Sequence, residues 1–371
     1  MDSIIKKITD SCVRCSKCMD ECMFLGRYGK PFDIAGLCSE KDKRVMDIAF
    51  GCSLCRLCEA VCPVELNPAE LFIELRKEAV RQDKVNFSRY SGLLAYEKKG
   101  TSRRYSWYGL PQGCDSVFFP GCTLSGTRPA VTSDLYRLLK KAVPGMGIVL
   151  DCCTKPSHDL GREDFFNKMF GEMKTFLADS GVKNIYTACP NCYRVFKDHG
   201  SEFMVKTVYE LIAQKGLIKP EKISGRVTVH DPCVIRFEKE VHSAVRELTE
   251  STGLDIEEME HSKEKTLCCG EGGSVGSVSL DLVRNWRNRR LEETRGLRVI
   301  TYCAGCAGKL SSAMPASHIL DLLFNPGAVL RGKENISKPP FTYWNRLNLK
   351  KRLKKETGLA VTRERDISKI K

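Results

Sequence analysis

Three cysteine-bearing stretches occur in this chain twice, in the same order. The first copy reads VFFPGC, ending at Cys122, then GIVLDCC, ending at Cys152 and Cys153, then NIYTACPNC, with Cys189 and Cys192. The second reads RVTVHDPC to Cys233, TLCC to Cys268 and Cys269, and RVITYCAGC with Cys303 and Cys306. The offsets between copies are 111, 116 and 114 residues. A period this long marks duplicated domains rather than a solenoid. Most of the cysteines follow a short β-branched or aromatic run, a strand signal. Helical patterns such as PAVTSDLYRLLKKAV separate the runs. The alternation predicts α/β units with parallel strands. Residues at the carboxyl ends of such strands converge in one crevice, so each copy is expected to gather five sulfurs.

Five is the informative number, because a cubane iron–sulfur cluster takes four thiolates. Successive strand side chains point to opposite faces. An adjacent pair such as Cys268 and Cys269 must therefore sit where a strand turns into a loop. Gly270, Gly272 and Gly273 supply the freedom for that turn in the second copy. In the first copy Thr154 and Lys155 stand in their place.

The chain has 20 cysteines among 371 residues and no apolar leader in MDSIIKKITDSCVRC. That combination favours metal ligation over disulfides and predicts a cytoplasmic protein. No apolar run is long enough to cross a membrane. The net charge of +14 counts every thiol as neutral. Four thiolate-bound clusters would remove roughly 8 to 10 of those charges.

The amino-terminal third carries CVRCSKCMDEC, with Cys12, Cys15, Cys18 and Cys22, and CSLCRLCEAVCP, with Cys52, Cys55, Cys58 and Cys62. Both follow the two-cluster bacterial ferredoxin spacing, in which the fourth cysteine of each run reaches the other cluster. The expected ligand sets are Cys12, Cys15, Cys18 and Cys62 for one [4Fe–4S] cubane, and Cys52, Cys55, Cys58 and Cys22 for the other. Met23 replaces the usual Pro after the first run, which changes a turn and removes no ligand. Asn67 and Pro68 read as the cap and first position of a helix over NPAELFIELRKEAVRQ. This block resembles the ferredoxin domain of succinate-dehydrogenase-type iron–sulfur subunits.

The doubled pattern C…CC…C-x-x-C resembles the cysteine-rich CCG domains of the heterodisulfide reductase catalytic subunit. Similar domains occur in iron–sulfur subunits of anaerobic glycerol-3-phosphate dehydrogenase, glycolate oxidase and lactate-utilisation complexes. The resemblance covers about residues 10 to 325 and fills all ten positions: Cys122, Cys152, Cys153, Cys189, Cys192 and Cys233, Cys268, Cys269, Cys303, Cys306. It implies one non-cubane [4Fe–4S] cluster per set, with a disulfide split between the two and electrons supplied by the cubanes. The alternative is a non-catalytic subunit linking a flavoprotein dehydrogenase to quinone or another carrier. Either way it implies an anaerobic oxidoreductase complex, a flavoprotein or other redox partner, and membrane association only through such a partner.

The expected organisation is an amino-terminal α-helical two-cluster ferredoxin domain followed by two duplicated α/β cysteine-rich domains. Its bounds are residues 1–85 for the ferredoxin domain, 86–113 for a linker, 114–225 and 226–335 for the two halves, and 336–371 for a basic tail that docks a partner or stays disordered. His158, His230 and His261 are candidate proton donors to a leaving thiolate. The plainer reading of each is a structural histidine beside a cluster loop. Arg236 either binds a substrate anion or neutralises cluster charge, and Glu271 reads as a loop residue. Cys38 and Cys114 fit no set and read as ordinary thiols. GEGGSVG is not a dinucleotide fingerprint, since Val275 stands where a glycine is needed, so any flavin belongs to a partner. No recognition motif for nucleic acid accompanies the charge.

Overall fold

In this computed structural model, residues 1–39, 44–356 and 361–365 are described. The amino-terminal domain is built of short helices. Ile4, Ile5 and Ile8 line one face of Asp2–Ser11 and pack with Leu71, Phe72 and Leu75 of Pro68–Arg81. Pro68 opens that helix as expected, while the Asn67 side chain makes no cap bond. The same core takes in Val275, Leu282 and Val283, residues from the far end of the chain. The ferredoxin region is thus closed off by the second cysteine-rich half.

Among the described residues ten strands follow: β1 (Trp107–Leu110), β2 (Ser116–Phe119), β3 (Gly147–Leu150), β4 (Asn184–Thr187), β5 (Met204–Thr207), β6 (Arg226–His230), β7 (Asp255–Ile256), β8 (Arg298–Thr301), β9 (Ala316–His318) and β10 (Val361–Arg363). One sheet has the order β10-β1-β3-β2-β4-β5 and the other β7-β6-β8-β9. The segment β3-β2-β4-β5 and the whole second sheet share one parallel topology, as a duplication requires. The halves also share a core. Phe118, Leu135 and Ile148 belong to the same buried cluster as Val227, Val245 and Ile300. Across the seam, the Tyr209 hydroxyl donates to the Ala188 carbonyl at 2.8 Å and lies 2.9 Å from the Tyr302 carbonyl. The buried pair Arg128–Asp321, at 2.6 Å, joins the halves as well.

Two expectations change here. Residues 86–113 are more than a linker: they form the helix Ser91–Gly100 and then β1, which pairs antiparallel with β3 through Trp107↔Leu150. Nor do residues 336–371 hang free. Phe341–Glu356 is a helix that buries Leu349 and Leu353, and β10 pairs with β1 through Gly109↔Thr362. The buried face of that helix also contains Thr342, Arg346 and Lys350. Lys350 is satisfied by the carbonyls of Arg103 and Arg104, at 2.7 and 3.1 Å. A face half polar in composition does not register as an apolar stripe, which is why the tail reads as solvated. The described residues contain no helix long and apolar enough to cross a membrane.

Candidate functional site

All twenty cysteines are free. In the amino-terminal domain their neighbours cross between runs. Burial, then the charges of Cys12 and Cys15, then that of Cys62, push the Cys18 thiol up to about 11. Cys58 is raised by burial and by Cys52, Cys55 and Cys22. Each fourth cysteine therefore lies among the thiols of the other run. Cys15 is exposed whereas Cys55 and Cys58 are buried, so the first group lies at the surface and the second inside. Burial also pushes Cys52 up to about 12. Thiols held this way become thiolates only when a cation neutralises them, which suits metal ligation.

In the first half, Cys122 follows β2, Cys152 and Cys153 follow β3, and Cys189 follows β4 with Cys192 one helical turn on. The Cys192 thiol lies 3.5 Å from Cys153 Sγ. A hydrogen bond from Cys152 holds Cys122 down at about 6. Thr154 takes the left-handed conformation at φ +55°, where Gly270 has +90° in the second half, and the Thr154 hydroxyl donates to the Cys153 carbonyl. The departure from glycine thus changes the residue and keeps the turn. In the second half Cys233 follows β6 and Cys303 follows β8, but residues 257–267 intervene between β7 and the pair. Cys268 is held low by bonds from Cys233 and Cys269, then by the amides of Gly270 and Gly272. Cys306 bonds to Cys269 and Cys303.

The two quintets meet. Cys189 neighbours Cys192 and, across the seam, Cys303, and these two thiols lower its pKa well below the usual thiol range. At the other end of the second quintet, Cys55 packs with Cys233 and Cys268 in one buried cluster. The sulfurs therefore run from the exposed Cys15 group, through the Cys55 group and the second quintet, to the first quintet. Gly272 and Gly273 make the middle contact: a Cβ on Gly272 would sit 2.5 Å from the Ser53 carbonyl oxygen, and one on Gly273 would sit 2.4 Å from that of Cys52. Their role is close approach of the ferredoxin loop, beyond the freedom expected of them.

Of the candidate proton donors, the structure brings one to the sulfurs. His230 ends β6, fully buried beside Cys269 and Cys306. His158 instead faces Asp159 at 3.0 Å and the rings of Phe166 and His199. His261 lies between Glu293 and Glu21, at 2.5 and 3.1 Å, joining the second half to the ferredoxin domain. Arg236 is 1% exposed and spends its donors on the carbonyls of Cys55, Glu264 and Thr266, so it pins a loop rather than a substrate. Cys114 is buried and donates to the Ser116 carbonyl. Cys38 is half-buried in the amino-terminal core.

Other residues close to the cysteine groups come from places the motifs do not mark. Arg76 is fully buried and donates to the carbonyls of Ala49, Cys52, Asp159 and Gly273, tying the ferredoxin loop to both halves. Tyr96 neighbours Cys122, and burial and then the Cys122 charge hold its hydroxyl well above the usual range. Arg346, from the carboxy-terminal helix, lies over the rings of Tyr96 and Tyr105 and adds its charge near Cys122. The Glu271 carboxylate packs against Gly305. The residue is exposed at the surface, yet the protein around its carboxyl raises it to about 7, with Lys309 opposing and Cys189, Cys268 and Cys122 adding to the rise. It therefore faces thiols of both quintets, and the loop reading of Glu271 understates its position.

Comparison with known proteins places this architecture. Residues 8–66 match the model of the 4Fe-4S dicluster domain, and residues 116–197 and 227–311 match that of the cysteine-rich domain. An uncharacterized iron–sulfur protein of Methanocaldococcus jannaschii is 26% identical over 69% of this chain and 56% of its own length. One subunit of the fumarate reductase (CoM/CoB) of Methanothermobacter marburgensis is 26% identical over 80% of this chain and 66% of its own. One subunit of the dihydromethanophenazine:CoB–CoM heterodisulfide reductase of Methanosarcina barkeri is 24% identical over 83% of this chain and 89% of its own. The chain thus spans about 56% and 66% of the first two relatives. A dicluster ferredoxin domain followed by two cysteine-rich domains is the class of iron–sulfur protein these features define, and the relatives of that make-up include named oxidoreductase subunits. Within that class the chain resembles the heterodisulfide reductase subunit of Methanosarcina.

Proposed function

We propose that this chain carries electrons from a surface ferredoxin cluster to two facing cysteine-rich sites, where a disulfide is reduced to two thiols or the reverse occurs. In this reading Cys12, Cys15, Cys18 and Cys62 hold one cubane [4Fe–4S] cluster, and Cys22, Cys52, Cys55 and Cys58 hold the second. The quintets Cys122, Cys152, Cys153, Cys189, Cys192 and Cys233, Cys268, Cys269, Cys303, Cys306 hold two non-cubane [4Fe–4S] clusters. When bound, these clusters supply one-electron steps and iron sites that substrate sulfur can approach.

The observation that carries the reading is the seam at which the Tyr209 hydroxyl bridges the carbonyls of Ala188 and Tyr302, the residues just before Cys189 and Cys303, which sets two sulfur-rich sites side by side. Cleaving one S–S bond takes two electrons and two protons and yields two thiols, so two adjacent sites suit one substrate. The chain orders the approach: Arg76 and Gly272 fix the inner ferredoxin loop against the second quintet, and Cys189 adjoins the first to it. Exposed Cys15 marks the end at which a redox partner, such as a flavoprotein subunit, exchanges electrons. Any membrane association runs through that partner.

Anaerobically purified, dithionite-reduced protein titrated with small disulfides is the test. The expected result is thiol release with a substrate-dependent change in the cluster paramagnetic resonance. Absence of both would overturn the proposal. The second reading, a relay between a flavoprotein dehydrogenase and quinone or another carrier, draws on the relatives being named as subunits. It predicts reoxidation by carriers and none by disulfides.

A further inference from the structure

The two quintets are not chemically equal. His230 stands three residues before Cys233, and Phe119 stands three residues before Cys122. Both are fully buried at the ends of equivalent strands, β6 and β2. The first half therefore presents an inert ring where the second presents an imidazole. Neither Nδ1 nor Nε2 of His230 has a hydrogen-bond partner. A buried polar group left unpaired costs about 1–3 kcal/mol, and such groups call for an explanation such as an ion. One His230 ring nitrogen and the sulfurs of Cys269 and Cys306 all lie within 4.8 Å of one another. That spacing is what a shared metal would draw together. A neutral imidazole is an ordinary nitrogen ligand for iron.

We propose that His230 ligates, through a ring nitrogen, the iron held by Cys269 and Cys306, making the second-half cluster a mixed sulfur–nitrogen centre beside an all-sulfur centre in the first half. This rests on the reading that the second quintet holds an iron–sulfur cluster. Imidazole is uncharged where thiolate is anionic, and histidine ligation raises the potential of iron–sulfur centres. The duplicated halves then differ in the one property an electron relay needs to differ in.

The test is pulsed paramagnetic resonance on the full chain, purified anaerobically and reduced, with iron analysis of the same sample. One preparation carries histidine enriched in the heavy nitrogen isotope. The expected result is a strong nitrogen coupling that shifts with the isotope in the unmutated chain and is lost in His230→Phe, the side chain the first half already uses. Full iron content with only the weak coupling of backbone amides would overturn the ligation while leaving the cluster reading intact. Iron content near that of the ferredoxin pair alone would overturn both. If His230→Phe fails to assemble, the isotope shift in the unmutated chain decides the matter by itself.

Discussion

Arg346 is 4% exposed, and its guanidinium lies 5.6 and 5.1 Å from the ring centroids of Tyr96 and Tyr105. Its Nη1 finds no partner. A fixed positive charge in such a place stabilises added negative charge on the first quintet. The Arg346 charge lowers the Cys122 thiol; a unit charge ~6 Å from another at an effective dielectric of ~20 is worth roughly 3 kcal/mol, on the order of 100 mV for one electron. Arg346→Met should lower the potential of the first-half cluster by about that amount, and Arg346→Lys should restore most of it. A redox titration followed by paramagnetic resonance reads the shift; unchanged potentials in Arg346→Met would refute the assignment. The residue gives no signal in sequence, because it stands far from any cysteine in a run that reads as generic basic tail.

At the scale of elements, the carboxy-terminal helix and β10 are parts of the first cysteine-rich half. Arg365, just after β10, pairs with Asp151 at 3.0 Å, both fully buried. Asp151 also accepts from Tyr108 and, at 2.7 Å, from the amide of Cys152. The tail thus reaches a ligand position through one carboxylate. Ending the chain at residue 340 would strip β1 of its outer partner β10 and leave Asp151 facing a buried void, and breaking a buried ion pair typically costs about 3–5 kcal/mol. The truncated protein should lose the first-half cluster, taking iron from roughly 16 to roughly 12 per chain, with the ferredoxin signals kept. Iron analysis with paramagnetic resonance checks this, and undiminished iron would show the tail to be dispensable. The parallel strands and the ferredoxin helices were legible because strand runs and capped helices have periods. β1 and β10 were not, since strands of four and three residues that lie outside the repeat carry too little pattern.

Across the whole molecule, the arrangement depends on domains docking closely enough for electrons to pass. Gly272 lets the Ser53 carbonyl approach to where a methyl group would stand. Gly272→Ala should push the ferredoxin loop away from the second quintet. The ferredoxin clusters should still accept electrons from dithionite, while their transfer onward to the cysteine-rich halves slows by at least tenfold in freeze-quench kinetics. Equal rates in both proteins would mean that electrons do not cross at this contact. The duplication itself was visible in the repeated spacings, and the equivalent strand orders of the two sheets follow from it. Which segments of the two halves dock on the ferredoxin domain was not visible, because the contact joins residues far apart in the chain, among them Arg76, Val275, Leu282 and the close-approach glycines Gly272 and Gly273.

By itself the sequence determined the inventory and its grouping: four sets of thiols, two by ferredoxin spacing and two by repetition, with the strand–helix alternation that brings each quintet to one sheet edge. Those features are local, because ligand spacing and strand periodicity act over a few residues. The tertiary structure decided what lies beside what. It put Cys55 against the second quintet, Cys189 against Cys303, His230 rather than His158 or His261 among the sulfurs, and a tail arginine over Tyr96 with its charge near Cys122. Such pairings depend on packing between distant segments, where shape and buried charge set the outcome and no short-range pattern records it.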